Sequence, residues 1–335
     1  MTARLLPFLP AAPRRAILLL GLLAAAIGAQ AQSGELVLYT SQPERDMKET
    51  IAAFNKRHPA VKVQVFRSGT TEVVNRLRTE IAAGAPRPDV LLIADAVTME
   101  SLKSEGRLAR MRNLQTVGLP AEFFDAERTY VGTKLITIGL VQHAKSPVKL
   151  RGWQDLLNPA LKNQVVMPSP LYSGAAAIAV GAWAEQAGLG WKYIEALKAN
   201  GASAVRGNGA VLQQVAQGEK MAGVLVDFMA LNAKAKGSPV EFVAPAEGLA
   251  YVTEPVAILN SAKNVPAAEA FVNFLISPAG QQQASALGYF PLQPGVKPPP
   301  AYPAAASLKF LPVSPERLLG NAEADRKRFA ALFGG

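Results

Sequence analysis

Cysteine is absent from the 335 residues. That excludes a disulfide framework, thiolate metal sites and cysteine nucleophiles, and it leaves the fold to stand on its apolar core alone. Histidine is nearly absent too: the 2 present, His58 and His143, lie far apart and fit no zinc spacing. No G-x-S-x-G, H-E-x-x-H or Walker loop occurs, so the residues offer no catalytic constellation and no reason to expect an enzyme. Internal repeats are missing, and so are basic blocks. The lysines and arginines are scattered with acids nearby, as in "PERDMKE" and "EADRKR", and no aromatics interleave with them, which argues against a nucleic-acid partner. Past the N-terminal segment no apolar run approaches the length of a bilayer span.

What is present begins with an address. Arg4, Arg14 and Arg15 precede the apolar run "AILLLGLLAAAIG" (16–28), and "AQA" (29–31) supplies small residues at cleavage positions. Residues 1–31 therefore read as a secretory signal peptide, too short in its apolar part to cross a bilayer comfortably. The Arg14-Arg15 pair raises a twin-arginine route, but its flanks fit ordinary secretion better. The three arginines belong to a net charge of +10 and no acid leaves with them, so the mature chain carries about +7. A basic balance of that size suits an anionic small ligand or an anionic surface. With 50% hydrophobic residues, the chain is long enough for two cored lobes.

The mature chain alternates strand and helix patterns. "GELVLYTS" (34–41) alternates and reads as a strand; Met47, Ile51 and Phe54 share one helical face, stopped by Pro59; "VKVQVFRS" (61–68) is a second strand. Val73, Val74, Leu77 and Ile81 form the buried stripe of the next helix, and "PRPDVLLIAD" (86–95) is a continuous apolar strand of the kind covered on both faces. This βαβαβ rhythm predicts an open α/β sheet, which binds ligands at the carboxyl ends of its strands. "YVGTKLITIGLVQH" (130–143) reads as one long strand leading into a second α/β lobe, and "YVTEPVAILN" (251–260) as a strand leading back. A Pro-rich connector, "QPGVKPPPAYPAA", precedes a last amphipathic helix.

Two places gather hydroxyls and free backbone N–H groups at a helix start. In "FRSGTTEVVNRLRTEI" (66–81), Ser68, Gly69, Thr70 and Thr71 stand directly before the helix; in "QVVMPSPLYSGAAAIAVGAW", Ser169, Tyr172, Ser173 and Gly174 do the same. Such residues cap helices, and the same N-termini bind anions through converging donors and the helix dipole. Ser41, Ser68 and Asp95 all fall at strand ends, and one donor-rich loop on each lobe favours the anion reading. "GNG" (207–209) reads only as a turn, and Arg67 and Arg206 as solvated side chains.

The segments "SPVKLRGWQDLLNPALKNQVVMPSPLYSG" and "AFVNFLISPAGQQQASALGYFPLQPGV" resemble those of bacterial solute-binding proteins of ATP-driven (ABC) importers, in the branch with ferric-ion, 2-aminoethylphosphonate and phosphorylated-sugar binding proteins. The likeness covers about residues 34–333. It implies an α/β fold of two lobes, the type II-like periplasmic-binding-protein fold, with hinge strands between the lobes. By analogy the crossings fall near residues 130–132 and 253–255, so lobe I takes 32–129 and 255–298, and lobe II takes 130–254 and 299–335. It also implies a monomer in the periplasm, without a cofactor, that docks on an inner-membrane permease with its ATPase.

In iron-binding members of that branch, a His or Tyr after the first strand, a carboxylate after the third and a tyrosine pair hold the metal. Here Pro43 stands in the first place, Asp95 keeps the carboxylate, and Asp227-Phe228 replaces the tyrosine pair. Ferric iron wants several anionic oxygens, and losing the phenolates leaves too few. The resemblance instead implies that Ser68, Thr70, Thr71, Ser173 and Gly174 bind a phosphonate, phosphate or carboxylate group, with Ser41 adding a donor. Asp227 or Asp95 then faces a ligand ammonium, or bonds local backbone. The competing reading is a ferric-ion, other metal or organic-cation receptor built from Asp95, Asp227, Glu247, Glu254 and the tyrosines.

Overall fold

The computed structural model describes residues 33–300, 302, 308–313 and 315–334. The signal peptide expected over residues 1–31 lies outside them. The described chain opens with β1 (Gly34–Thr40), α1 (Glu44–Asn55), β2 (Val61–Arg67), α2 (Thr70–Ala82), β3 (Val90–Leu92) and α3 (Ala96–Ser104), then reaches β4 (Tyr130–Gly132). β1 pairs in parallel with both β2 and β3. Alternation decides which side chain faces which layer. Leu36, Leu38, Val90 and Leu92 pack with Phe54 and Phe271 on one face of this sheet, while Tyr39, Leu91 and Ile93 pack with Val73, Leu77 and Met99 on the other. Covered on both faces, β3 has no polar side to show.

The second lobe starts with β5 (Ile136–His143), whose every residue is buried. It continues through β6 (Val165–Pro168), α4 (Gly174–Glu185), α5 (Gly190–Ala199), β7 (Ser203–Val205), α6 (Asn208–Ala216), β8 (Ala222–Val226), α7 (Asp227–Ala235), β9 (Val240–Val243) and β10 (Ala250–Val252). The strands run in the order β10-β5-β8-β6-β7, with β9 also on β5. Trp153, Trp183 and Tyr193 stack edge to face in its core, Trp153 and Trp183 with centroids 4.9 Å apart.

The chain then returns. β11 (Pro255–Ile258) inserts antiparallel between β3 and β4, giving the first sheet the order β2-β1-β3-β11-β4. α8 (Val265–Ile276) covers that sheet and α9 (Pro278–Ala286) follows it, each with a proline in its first turn where the missing N–H costs nothing. The last helix, α10 (Pro315–Phe333), lies across α4 and reaches α3 of the other lobe. Its Leu318 fits where Gly181 has no side chain: a Cβ there would sit 2.5 Å from Leu318 Cδ2.

Two expected boundaries move. The run at 130–143 is two strands, and β4 belongs to the first sheet, so the first crossing is at 133–135 and not at 130–132. The chain crosses back at 253–254, between β10 and β11. Leu287 and Tyr289 also depart from the lobe I segment 255–298, being part of the second lobe's core. The two crossings are bonded to each other. Thr133 N and Lys134 N donate to Thr253 O at 3.0 and 3.2 Å, and Thr133 Oγ1 donates to Glu254 O at 2.8 Å. Buried Gln281 holds Thr133 O at 2.6 Å and, through Oε1, accepts from Leu292 N at 2.6 Å. Among the described residues no helix is long and apolar enough to cross a membrane.

Candidate functional site

Three helices begin at one cleft of about 440 Å³ between the lobes, a volume within the usual range for small-molecule sites. α2 contributes Gly69 and Thr70 from the first lobe; α4 contributes Ser173 and Ala175, and α6 contributes Gly207, Asn208 and Gly209, from the second. The helices start there because each follows a strand end and is capped by a small residue. Ser173 caps α4 through its side chain, Oγ accepting from Ala176 N at 3.3 Å. Gly69 and Gly207 cap α2 and α6 with extended backbone and no side chain. A helix start leaves its first N–H groups without intrahelical partners. Those of Thr70, Gly174, Ala175, Asn208 and Gly209 find no acceptor among the described residues.

The glycine caps make room for an aromatic lid. A Cβ on Gly69 would lie 2.4 Å from the Tyr172 ring, and one on Gly207 would lie 3.0 Å from it. Tyr172 thus spans both lobes, and its carbonyl accepts from Thr71 N at 3.3 Å. The Arg206 guanidinium lies 4.7 Å from the Tyr172 ring centroid and pairs with Glu72 at 2.7 Å. Gly174 presses on the opposite lobe, since a Cβ there would be 2.6 Å from Ala94 O. These contacts describe closed lobes.

Hydroxyls and cations line the same space. Ser41 Oγ accepts from Ala94 N at 3.2 Å, which leaves its O–H free to donate. Buried Thr70 makes no side-chain hydrogen bond among the described residues, and Asn208 Nδ2 donates to Ser173 Oγ at 3.3 Å. Arg67 is held at the wall by its Nε bond to Gln42 O at 3.0 Å. Two arginines and three positive helix ends give this end of the cleft an anion-attracting field. Glu44, also at the wall, is drawn below the usual carboxylate range first by its bond from Lys48. The hinge end differs: Ile136, Val226, Phe228, Met229 and Tyr289 make an apolar wall around Glu254.

The structure brings together Ser41, Thr70 and Ser173 of the expected site. It places the others elsewhere. Ser68 Oγ bonds the Glu72 carboxylate. Thr71, Asp95 and Gly174 face a smaller space of about 40 Å³ behind the start of α4, beside Asp325 and Arg326. Asp95 is the N-cap of α3, accepting from Thr98 N at 3.1 Å and Thr98 Oγ1 at 2.6 Å. Burial raises its carboxyl, and the Thr98 bonds oppose that rise. Asp227 is wholly enclosed. It ties β5 to α7, accepting from Thr137 N and Oγ1 at 2.9 and 2.6 Å and from Phe228 N at 2.6 Å. Burial pushes it up to about 6 against those bonds. Neither aspartate lines the cleft, because each spends its oxygens on local donors. Glu247 is equally occupied, by Trp153 N at 3.1 Å.

Sequence reasoning missed the third helix start, reading the "GNG" at Gly207 to Gly209 as a turn. A strand, a glycine loop and a helix follow one another there as they do at the other two sites, and that repeat was the available signal. It also read Arg67 and Arg206 as solvated; both are exposed, yet both edge the cleft.

Two mixed sheets with flanking helices, crossed twice and holding a donor-rich cleft at the crossing, define a two-lobed binding protein. The family of bacterial extracellular solute-binding proteins matches residues 36–290, and the chain belongs to it. A Haemophilus influenzae relative described as an uncharacterized protein is 26% identical over 273 residues, 77% of each chain. Among solved structures, the periplasmic binding protein AfuA from Actinobacillus pleuropneumoniae, with fructose-6-phosphate bound, superposes with a TM-score of 0.82. It shares 21% identity, with 90% of this chain and 98% of that one covered. Iron-bound HitA from Pseudomonas aeruginosa superposes at 0.76, also with 21% identity, covering 88% and 99%. The fold is that of the periplasmic binding proteins.

Proposed function

We propose that the protein captures a small anionic solute, a phosphate ester or a phosphonate such as 2-aminoethylphosphonate, and delivers it to an ABC permease and its ATPase. The observation that carries this reading is the convergence of three helix N-termini, with unsatisfied amides, on one closed cleft. Backbone N–H and hydroxyl donors compensate a phosphate without bringing a desolvated countercharge. The sugar phosphate bound by AfuA is consistent with it. Capture takes place in the periplasm, where the N-terminal segment would direct the chain. Contacts made by both lobes exist only when the cleft is shut, so ligand binding shifts the population toward closure. The closed form is then the one that docks.

Ferric iron is the alternative, and HitA keeps it in view. The cleft is poorly furnished for it. Among the described residues no three His, Cys, Asp or Glu side chains gather to hold a metal, and the expected tyrosine pair is Asp227 and Phe228. Calorimetry with inorganic phosphate, glycerol 3-phosphate, 2-aminoethylphosphonate and Fe(III) decides the matter. Binding of the phosphorus ligands, weakened by Thr70→Val with thermal stability retained, supports the anion reading. A coloured Fe(III) complex with no phosphate binding would overturn it.

A further inference from the structure

The hinge end of the cleft holds a carboxylate that the anion reading does not use. Glu254 is 2% exposed, yet it lines the cleft. Its Oε2 contacts Lys134 Nζ and is otherwise a buried oxygen without a hydrogen-bond partner among the described residues. A carboxylate offers about four lone-pair sites, so a single ammonium leaves most of its accepting capacity unfilled. The side chain is fixed in place. Glu254 has φ +39°, a left-handed conformation uncommon outside glycine, and its carbonyl is tied to Thr133 Oγ1 across the hinge.

We propose that Glu254 is a specificity residue whose carboxylate, engaged by Lys134 alone, accepts hydrogen bonds from hydroxyl groups on the body of a phosphate ester. The proposal rests on the anion reading above and adds the chemistry of the rest of the ligand.

Hydroxyl donors are selected over an ammonium by the charges already present. Lys134 Nζ contacts Glu254 and lies 4.6 Å from the Tyr289 ring centroid. The Tyr289 hydroxyl donates to Asp46 at 2.8 Å, and Asp46 in turn pairs with Arg45 at 3.2 Å. Two acids therefore meet two bases. A ligand ammonium would add a third cation beside Lys134, whereas a hydroxyl supplies the missing donor without charge. The wall around the carboxylate fits the same body. Phe228, backed by Tyr289 with centroids 4.2 Å apart, stands next to Met229 and Ile136, and together they make an apolar wall suited to the C–H groups of a sugar-like ring. The cleft, at about 440 Å³, has room for such a ring beyond the anionic head.

The test is a calorimetric ranking on the stripped, full mature protein, with butyl phosphate, glucose 6-phosphate and 2-aminoethylphosphonate as probes. Glucose 6-phosphate is expected to bind about tenfold or more tighter than butyl phosphate, because a site with an unfilled acceptor rejects the analogue lacking the hydroxyls. Glu254→Gln combined with Lys134→Met, which leaves no stranded charge, is expected to remove most of that preference for glucose 6-phosphate over butyl phosphate. Glu254→Gln alone strands Lys134, so it is measured alongside for comparison, with melting curves for both. The wild-type ranking needs no variant at all. Equal or tighter binding of butyl phosphate overturns the proposal, as does a preference for the aminophosphonate over the hydroxylated ester. So does an equal loss for every probe in the double variant, which marks a hinge brace and not a ligand contact. Failure of the underlying reading looks different: none of the phosphorus probes binds the wild-type protein.

Discussion

Arg206 and Glu72 meet across the mouth of the cleft, Nη2 to Oε1 at 2.7 Å, one from each lobe. Both are substantially exposed, at 70% and 44%, so the pair adds little to stability, about 0–1 kcal/mol. Its effect falls on the equilibrium between open and closed lobes. The guanidinium also covers the Tyr172 ring, so losing the carboxylate frees an arginine already seated at the lid.

Glu72→Gln is therefore expected to raise the ligand dissociation rate by up to about fivefold, the equivalent of about 1 kcal/mol, with the melting temperature unmoved. High salt should produce much of the same change in the wild-type protein, since exposed charges are screened within roughly 8 Å at physiological ionic strength. Stopped-flow dissociation at two salt concentrations measures both. A fall in melting temperature that matches the rate change would assign the pair to stability instead.

Gly69 and Gly207 test the lid from the other side. Neither has a positive φ, so alanine is conformationally allowed at both, and the obstacle is the Tyr172 ring. The tighter approach, 2.4 Å against 3.0 Å, makes Gly69→Ala the more damaging change. Expected is at least a tenfold loss of affinity for Gly69→Ala, about 1.4 kcal/mol, a smaller loss for Gly207→Ala, and native circular dichroism for both. Adding Tyr172→Ala to Gly69→Ala should return part of the affinity. No recovery in that double variant would show that the glycine serves something other than ring clearance.

These particular residues also mark where the sequence speaks and where it is silent. The two lobes, their strands and the buried faces follow from local period: Leu36 and Leu38 against Tyr39, or Val73 and Leu77 along α2, are legible because alternation and helical spacing are local facts. That Ser41, Thr70 and Ser173 line the cleft follows from the same kind of local fact, small polar residues at strand ends and helix starts. Asp95 and Asp227 sit at strand ends too, but their oxygens turn to Thr98 and to Thr137 and Phe228. No spacing rule distinguishes a carboxylate that caps its own helix from one that faces a ligand. Glu254 is the reverse case: its place at the cleft depends on β11 returning to the first sheet and on Lys134, 120 positions earlier in the chain.

Asp227 provides a pH test of the second lobe. Burial raises its carboxyl from 3.8 to about 6, opposed by donors from Thr137 and Phe228. In the unfolded chain the group ionises near 3.8, so between that value and about 6 the folded protein binds the proton more tightly. A raised carboxyl contributes stability that is fully present below the unfolded value and is lost as pH rises through the folded one. The loss is on the order of 3 kcal/mol at most, at about 1.4 kcal/mol per pH unit. Comparing melting temperatures of wild type and Asp227→Asn from pH 4 to 8 isolates it: the difference between the two should drift in favour of the variant as pH rises through 6. A difference that stays flat would mean that the three donors keep Asp227 ionised throughout.

Lys134 and Glu254 give the sharpest energetic contrast in the protein. Their side chains are 4% and 2% exposed, at the point where both crossings meet. Removing one member of such a pair leaves an uncompensated buried charge and costs about 3–5 kcal/mol, whereas replacing both with neutral side chains of similar size is often near neutral. Lys134→Met alone is thus expected to lower the denaturation midpoint steeply. Burial already raises the Glu254 carboxyl, and with Lys134 gone the largest opposing influence is lost, so this variant should regain stability in acid as the carboxyl takes up a proton. The sign follows from the same linkage: an acid whose folded value is raised favours the folded state at low pH. Lys134→Met combined with Glu254→Gln should recover most of the loss at neutral pH and show no such acid gain. Urea titrations at pH 5 and pH 7.5 on the two variants separate these outcomes, and a single variant as stable as wild type at both would mean that the pair is not buried in solution as it is here.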